Sequence, residues 1–136
     1  MKSSKTSNGT GTLEARSPEG LTIKAKQIQF TFTGSENPWM LAGKDEHSGV
    51  TLAFPPALGD GAHIIDYPAD LDHGPVVEFW SYQLPEQDTR EPKFGRASIV
   101  IGTVNGLKSV NGTFEFLDAD KALILNGNFN VQQMSK

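Results

Sequence analysis

The sequence predicts a single all-β domain, folded as an antiparallel β-sandwich or partly closed β-barrel of about eight strands. Three observations predict this class. Short runs of alternating apolar and polar residues recur along the 136 residues, which is the pattern of half-buried strands. Helical periodicity is almost absent. Turn-forming residues, among them 14 Gly and 8 Pro without a repeat, separate the runs at short intervals.

Composition excludes several classes of function. The chain has no Cys, which excludes thiolate chemistry and a disulfide scaffold. Its formal net charge of −4 and its lack of a basic cluster argue against a nucleic-acid partner. No apolar run is long enough for a signal peptide or a membrane span. We therefore expect a soluble cytoplasmic protein, or a mature form already trimmed, with no membrane partner. Residues 1–8 form a predicted flexible segment, and residues 9–133 form the domain.

The first predicted element is a hairpin of residues 11–15 and 21–25, with Ala15 opposite Leu21. This register places all apolar side chains of the hairpin on one face, as strand pairing requires. The apolar residues of the second strand occupy odd positions, whereas those from Ile28 onward occupy even positions. This one-residue change of phase predicts a β-bulge or a strand that passes between two sheets.

The middle of the chain is less regular. Its predicted strands lie at residues 39–42, 50–54, 63–66 and 76–84. A connection rich in Gly, Asp, His and Pro, residues 58–75, contains the third strand, and a charged loop of residues 84–94 follows the fourth. The fourth strand carries apolar side chains on both faces. We therefore expect it to be central in its sheet and buried on at least one side.

The last third of the chain predicts a three-stranded meander. An Asn-Gly pair joins Val104 to Leu107 and is typical of a two-residue type I′ turn. Residues 118–121 form a second turn that sets Leu117 opposite Ala122. Both registers place the apolar residues on one inner face, which includes Ala97, Ile99, Ile101, Val110, Phe114, Phe116, Leu123, Leu125 and Phe129.

The opposite face of the meander is polar. It consists of Ser98, Ser109, Asn111, Thr113, Asn126, Asn128 and Asn130. Arg96 lies opposite Glu115, which predicts a cross-strand ion pair. A surface of amides and hydroxyls can bind sugar hydroxyls through bidentate amide contacts. The alternative is an ordinary solvated outer face of an antiparallel sheet.

Two runs in the meander resemble a known group of proteins. They are Val-Asn-Gly-Thr-Phe-Glu-Phe at residues 110–116 and Leu-Asn-Gly-Asn-Phe-Asn-Val at residues 125–131. Together they look like the closing hairpin of small bacterial all-β domains of unknown function. The resemblance covers the last quarter of the chain. It implies the fold and implies no particular function.

The chain contains no motif of a known catalytic or cofactor site. It has no nucleophile elbow, phosphate-binding loop, dinucleotide-binding loop or zinc-protease helix. The candidate metal ligands are His63, His73, Asp66 and Asp70, although their spacing matches no compact metal site. We expect no metal and no cofactor. A His–Asp general base in these loops is the alternative.

Glu78, Trp80 and Tyr82 share one face of the strand predicted at residues 76–84. A carboxylate beside two amphipathic aromatic rings can fix a polar or cationic ligand in a pocket. The alternative is that Glu78 lies on an outer face and pairs with a cation. Trp39 is a further candidate for ligand contact, and a role in filling the core is its alternative.

The leading interpretation is a non-enzymatic binding or protein-interaction module. It presents loops to a protein partner or a small polar ligand, and these loops are residues 43–49, 59–74 and 85–94. The alternative is a small barrel enzyme or ligand-binding protein whose pocket contains Glu78, Trp80 and Tyr82, with a loop His as acid or base. A third interpretation is a self-assembling subunit with an exposed apolar edge.

Removal of metal tests part of this interpretation. Dialysis against a chelator is expected to leave the Tm unchanged, because the chain has neither thiolates nor a chelating spacing. Thermal unfolding followed by circular dichroism, before and after dialysis, measures this. A fall of many degrees that Zn²⁺ or Ca²⁺ reverses would contradict the expectation and favour His63 and His73 as ligands.

Overall fold

The computed structural model describes residues 9–31, 39–54, 58–67 and 80–133. These residues form two antiparallel sheets, which confirms the predicted all-β class in its sandwich form, with ten strands in place of about eight. The strands are β1 (Gly9–Arg16), β2 (Thr22–Lys24), β3 (Gln27–Thr31), β4 (Trp39–Lys44), β5 (Gly49–Phe54), β6 (Gly61–Tyr67), β7 (Ser81–Gln83), β8 (Phe94–Val104), β9 (Leu107–Leu117) and β10 (Leu123–Gln133). The described part of the chain includes no helix that is long and apolar enough to cross a membrane.

The strands divide between a large sheet and a small sheet. The large sheet has the order β2-β1-β10-β9-β8-β6, and the small sheet has the order β3-β4-β5-β7. Gly9 lies opposite Gln133 where β1 pairs with β10. The first and last described residues are therefore neighbours within the large sheet.

The chain passes from the large sheet to the small sheet at Ala25 and Lys26. The Ala25 amide donates to the Leu13 carbonyl at 3.0 Å, whereas the Lys26 amide donates to the Lys44 carbonyl at 2.8 Å. Leu13 belongs to β1 and Lys44 belongs to β4, so a single peptide step carries the chain between the layers. This step explains the change of apolar phase and confirms the prediction that a strand passes between the sheets.

The strand predicted at residues 76–84 occupies a different place from the one expected. In the described residues β7 pairs with β5 and stands at the edge of the small sheet, so the expectation of a central strand was wrong. An isolated bridge joins Tyr82 to Arg90 on its other side. Residues 76–79 lie outside the described residues. The expected burial on at least one side is confirmed, since Trp80 and Tyr82 are 0% and 8% exposed.

The β8–β9 hairpin has the predicted register, with Val104 opposite Leu107. Its turn residues Asn105 and Gly106 have φ values of 54° and 80°. Positive φ at both positions is what a type I′ turn requires, and the Asn-Gly pair tolerates it. The strongest local signal in the sequence therefore gives the correct pairing.

The β9–β10 register differs from the prediction by two residues. Leu125 lies opposite Phe116, and the ladder is irregular between Leu123 and Leu125. The Asp118 carboxylate accepts hydrogen bonds from two backbone amides of the turn, at 2.8 and 3.0 Å, so the turn takes up more residues than expected. A shift of two keeps side chains on their predicted faces. Leu123 is the exception, because it lies at the irregularity and is 37% exposed.

The first hairpin shows the same kind of shift, since Ala15 lies opposite Ile23 and not opposite Leu21. Ser17 closes the turn. Its hydroxyl accepts a hydrogen bond from the Leu21 amide at 3.1 Å, and its own amide donates to the Leu21 carbonyl at 2.9 Å. Leu21 is thus a turn residue, and the hairpin keeps its predicted inner face.

Trp80 joins the two sheets in the core. Its side chain is fully buried, and its indole N–H donates to the Ala53 carbonyl of β5 at 2.7 Å. The ring stacks on Tyr67 of β6, with 5.1 Å between ring centroids, and contacts Phe116 of β9 at 5.8 Å. The predicted inner-face residues that are buried in the core are Ala97, Ile99, Ile101, Phe114, Phe116 and Leu125.

Gly95 allows Trp80 to lie on the large sheet, and its replacement tests this packing. A Cβ at residue 95 would lie 2.8 Å from Trp80 Cζ3 and 2.9 Å from the Glu115 carbonyl oxygen. We expect Gly95→Ala to lower the free energy of unfolding by about 1–3 kcal/mol, because the indole or the sheet must shift. Urea unfolding measures this. The control is Gly102→Ala on the same strand, whose Cβ would meet only the Ser109 hydroxyl, at 3.3 Å. Equal losses in both variants would contradict the role of Gly95.

Candidate functional site

The outer face of the large sheet contains a depression of about 400 Å³, called the polar depression below. It is lined by Glu14, Arg16, Arg96, Ser98, Thr113, Phe114, Glu115, Asn126, Gly127 and Asn128. These residues come from β1, β10, β9 and β8, which are four neighbouring strands of one sheet. A site built on strands is held more rigidly than one built on loops, so its polar groups keep fixed spacings.

Two rows of side chains cross this surface, because paired strands hold their residues in register. The first row consists of Arg16, Asn126, Glu115, Arg96 and Asp66. The second row consists of Glu14, Asn128, Thr113, Ser98 and Ile64. The short amide and hydroxyl side chains of the lining, Ser98, Thr113, Asn126 and Asn128, are called its floor below, and the long charged side chains, Glu14, Arg16, Arg96 and Glu115, are called its walls. The depression therefore results from differences in side-chain length and needs no loop.

An ion pair holds Arg96 at one wall. Its Nε donates to Asp66 Oδ1 at 2.7 Å, and its Nη2 donates to Asp66 Oδ2 at 3.3 Å. These hydrogen bonds, then the charge of Asp66 and the weaker charge effect of Glu115, raise the pKa of the Arg96 guanidinium above its ordinary value. Glu115 lies opposite Arg96, as the predicted register requires. The hydrogen-bonded partner, however, is Asp66 from β6, which the sequence did not place beside it.

The floor of the polar depression has unused hydrogen-bonding capacity. Within the described residues, no hydrogen bond or ion pair involves the exposed side chains of Ser98, Thr113, Asn126 and Asn128. The same holds for the guanidinium of Arg16 at the wall opposite Arg96. Glu14 is 3.9 Å from the ammonium of Lys24, a distance at which an exposed pair contributes little. The floor can therefore exchange water for a ligand without breaking contacts inside the protein.

The residues of the floor were predicted from the sequence to share one polar face, whereas Glu14 and Arg16 were not placed beside them. The floor residues lie on strands that short turns join, so their neighbours could be predicted. By contrast, β1 pairs with β10 from the other end of the domain, and no local pattern indicates that pairing. The available signal was the alternation of both residues with the buried Leu13 and Ala15. It shows that Glu14 and Arg16 face outward, but not which residues lie beside them.

The described residues do not bring the predicted aromatic pocket together. Trp80 has no exposed surface, and Tyr82 is 8% exposed with its ring centroid 5.8 Å from that of Phe116. Glu78 and the side chain of Trp39 lie outside the described residues. The structure thus places Trp80 in the core, and ligand binding by these four residues stays a prediction.

Two of the predicted metal ligands, His63 and Asp66, lie on opposite faces of β6. The Nε2 of His63 is 2.7 Å from the Gly59 carbonyl oxygen, and Asp66 is engaged by the guanidinium described above. His73 and Asp70 lie outside the described residues. In the parts of the chain that are described, no three His, Asp or Glu side chains form a group that could hold a metal ion.

Two of the three predicted loops, residues 43–49 and 85–94, meet at a cavity of about 330 Å³, which Tyr82 also lines. The third loop is anchored elsewhere. Its Asp60 accepts a hydrogen bond from Lys108 at 2.9 Å, and this bond is the main cause that lowers the pKa of Asp60. Residues 68–74 of this loop lie outside the described residues, so a joint surface of the three loops stays a prediction.

Asp45 shapes the first of these loops. Its Oδ1 accepts hydrogen bonds from the amides of His47 and Ser48 and from the Ser48 hydroxyl, at 2.8, 2.7 and 2.8 Å. Burial acts to raise the pKa of Asp45, but the hydrogen bonds outweigh it and hold the pKa below the ordinary value of 3.8. The loop therefore depends on an ionised carboxylate.

Comparison of the chain with protein-family models, with curated proteins and with solved structures found no match. The fold and the surface define a class, namely an all-β sandwich that carries a rigid polar depression on one sheet. The assignment of function rests on the chemistry of that surface.

The ionisation of Asp45 can be followed through Ser48. We expect the Ser48 amide signal to titrate with a midpoint below pH 3.8, because this amide donates to a carboxylate whose pKa is lowered. At pH values above the pKa of Asp in the unfolded chain, the hydrogen bonds to ionised Asp45 stabilise the fold. This contribution is lost as the pH falls through the lower pKa that Asp45 has in the folded protein. An NMR pH titration measures the midpoint. Ser48→Ala removes one donor and is expected to raise it. A midpoint at or above 3.8 in the unaltered protein would contradict the lowered pKa.

Proposed function

We propose that this protein is a non-enzymatic binding module that holds a hydroxyl-rich ligand, of the saccharide class, in the polar depression. The observation that carries the proposal is the floor of exposed amides and hydroxyls without partners among the described residues. Solvated polar side chains are ordinary on the outer face of a sheet. Here they line a concave space of about 400 Å³, which is a size typical of small-molecule sites.

The Asn side chains of β10 supply paired donors and acceptors. Each amide offers a carbonyl oxygen and an NH₂ group, which together match two neighbouring hydroxyls of a sugar ring. Asn126 and Asn128 lie two residues apart on one strand, and hence roughly 7 Å apart along it. The hydroxyls of Ser98 and Thr113 can rotate to donate or to accept. This set of groups fits a ligand whose hydroxyls play both roles.

The charged walls strengthen the same contacts. Hydrogen bonds to an ionised group are roughly twice as strong as those between neutral groups. At the rim two Arg side chains can donate hydrogen bonds to a ligand and two Glu side chains can accept them. The lining therefore carries two positive and two negative charges. Such a balance suits an uncharged ligand better than a polyanion, which the two carboxylates would repel.

The composition of the lining supports binding more than catalysis. Among its described residues there is no His and no Cys, which are common choices for a general base and a nucleophile at neutral pH. The two carboxylates, Glu14 and Glu115, lie in different rows on strands that β10 separates. We therefore expect a bound saccharide to leave the protein without any of its bonds having been cleaved.

A second candidate function is the recognition of a protein partner by loops. The cavity of about 330 Å³ favours it, because residues 43–49 and 85–94 both reach that cavity. Exposed side chains on the first loop, Lys44, Glu46 and His47, would then select the partner by charge. A binding activity that Asp45→Ala abolishes and that changes in the polar depression leave intact would assign the function to the loops.

The double variant Asn126→Ala/Asn128→Ala tests the leading proposal. It removes at least two hydrogen bonds to a ligand, so the affinity for a saccharide should fall roughly tenfold or more. A panel of neutral oligosaccharides and polysaccharides, screened by glycan array and measured by isothermal titration calorimetry, provides the readout. No reducing sugar should be released during the titration.

The matched control for this test is Asn130→Ala. Asn130 lies on the same strand and the same exposed face, but it does not line the depression. Asn130→Ala should leave the affinity for the saccharide unchanged. This control and the double variant should both keep the Tm of the unaltered protein, because the replaced side chains are exposed. If no saccharide of the panel binds, or if Asn130→Ala weakens binding as much as the double variant does, the depression is not the site.

A further inference from the structure

The outer face of the large sheet has a second feature, which is apolar. Ile64 on β6 and Val100 on β8 have exposed fractions of 65% and 48%. They are diagonal neighbours, because Ile64 lies opposite Ser98 and Ala62 lies opposite Val100. Around them is a cavity of about 560 Å³, called the apolar shelf below, which is lined by Ala62, His63, Ile64, Ser98, Ile99 and Val100.

The apolar shelf is continuous with the polar depression. Ser98 lines both of them. Thr113, Ser98 and Ile64 follow one another on adjacent strands of the same row. Ile64 therefore lies two strand spacings, roughly 10 Å, from Thr113 in the floor of the depression. The surface changes from hydrogen-bonding to apolar within the length of one small molecule.

The apolar shelf differs from the polar depression in the charge of its lining. Among the described residues that line the shelf, none is an Asp, Glu, Lys or Arg. Its single His, His63, lies on the face of β6 opposite to Ile64, and its Nε2 is 2.7 Å from the Gly59 carbonyl oxygen. Two adjacent exposed apolar side chains beside hydrogen-bonding groups offer a ligand an apolar contact next to its polar contacts. The hydrogen-bonding groups here are those of the polar depression.

We propose that the ligand is amphiphilic. Its hydroxyl-rich head group binds in the polar depression, and an alkyl or acyl chain attached to that head group lies across Ile64 and Val100. The chemical class is a glycolipid or an acylated saccharide. This inference rests on the proposed function, because it adds an apolar part to the ligand of the depression. The chain and the two side chains remove apolar surface from water together, and the gain grows with the length of chain that is buried.

A series of alkyl glycosides tests this inference. The probes are glucosides and maltosides with butyl, hexyl and octyl chains, titrated by calorimetry below their critical micelle concentrations. Affinity for the unaltered protein should rise by up to about fourfold for each added CH₂. The double variant Ile64→Ser/Val100→Thr should bind the butyl compounds as before and lose the rise. Both positions are exposed, and circular dichroism checks that the variant is folded. Val104→Thr is the matched control, because Val104 is 53% exposed at the end of β8 and does not line the shelf.

The possible outcomes separate this inference from the proposed function. A flat series in the unaltered protein would overturn the amphiphilic ligand and leave the saccharide site in place. A rise that persists in the shelf variant would overturn it as well, since the chain would then lie elsewhere. If neither the glycosides nor the saccharide panel bind, the proposed function fails together with the inference. A dimer that the shelf variant dissociates would show that a second copy of the chain covers the shelf, which also overturns the inference.

Discussion

The burial of one indole between the two sheets is the constraint on which the rest of the structure depends. Trp80 donates its indole N–H to a carbonyl of the small sheet, while its ring lies on Gly95 and against Phe116 of the large sheet. A buried donor without a partner is costly, and the ring fits only where the residue beneath it has no side chain. One side chain thus ties the two sheets together by a directional bond and by close packing.

The polar depression is a consequence of this packed core. Once the aromatic rings fix which face of the large sheet points inward, alternation along each strand sends every second side chain outward. Leu125 and Phe129 are buried, so Asn126 and Asn128 between them are exposed on the opposite face. The backbone that carries these exposed side chains is held in place by the packed core beneath it. Its side chains can bind without the ordering cost that a mobile loop incurs.

Side-chain faces could be predicted from the sequence, whereas registers and distant neighbours could not. Ser17 and Asp118 each bond backbone amides of their turns, and these bonds decide how many residues a turn takes up. Each turn moved a register by two residues, which left the faces correct. Arg16 and Asp66 reach the site through pairings between strands far apart in the chain, for which no local signal exists. Alternation likewise showed that Trp80 and Tyr82 share a face, but not that the opposite sheet covers it.

The pairing of Gly9 with Gln133 has a mechanical consequence. The strands that begin and end the described domain lie side by side and antiparallel, so a tether on each would pull across the pair, in the direction of its hydrogen bonds. Under such a load the hydrogen bonds between β1 and β10 carry the force one after another. They break in order, beginning at the end of the pair where Gly9 lies opposite Gln133. The large sheet would then part between β1 and β10 at low force. A domain held by a continuous core can in this way be compliant along one axis.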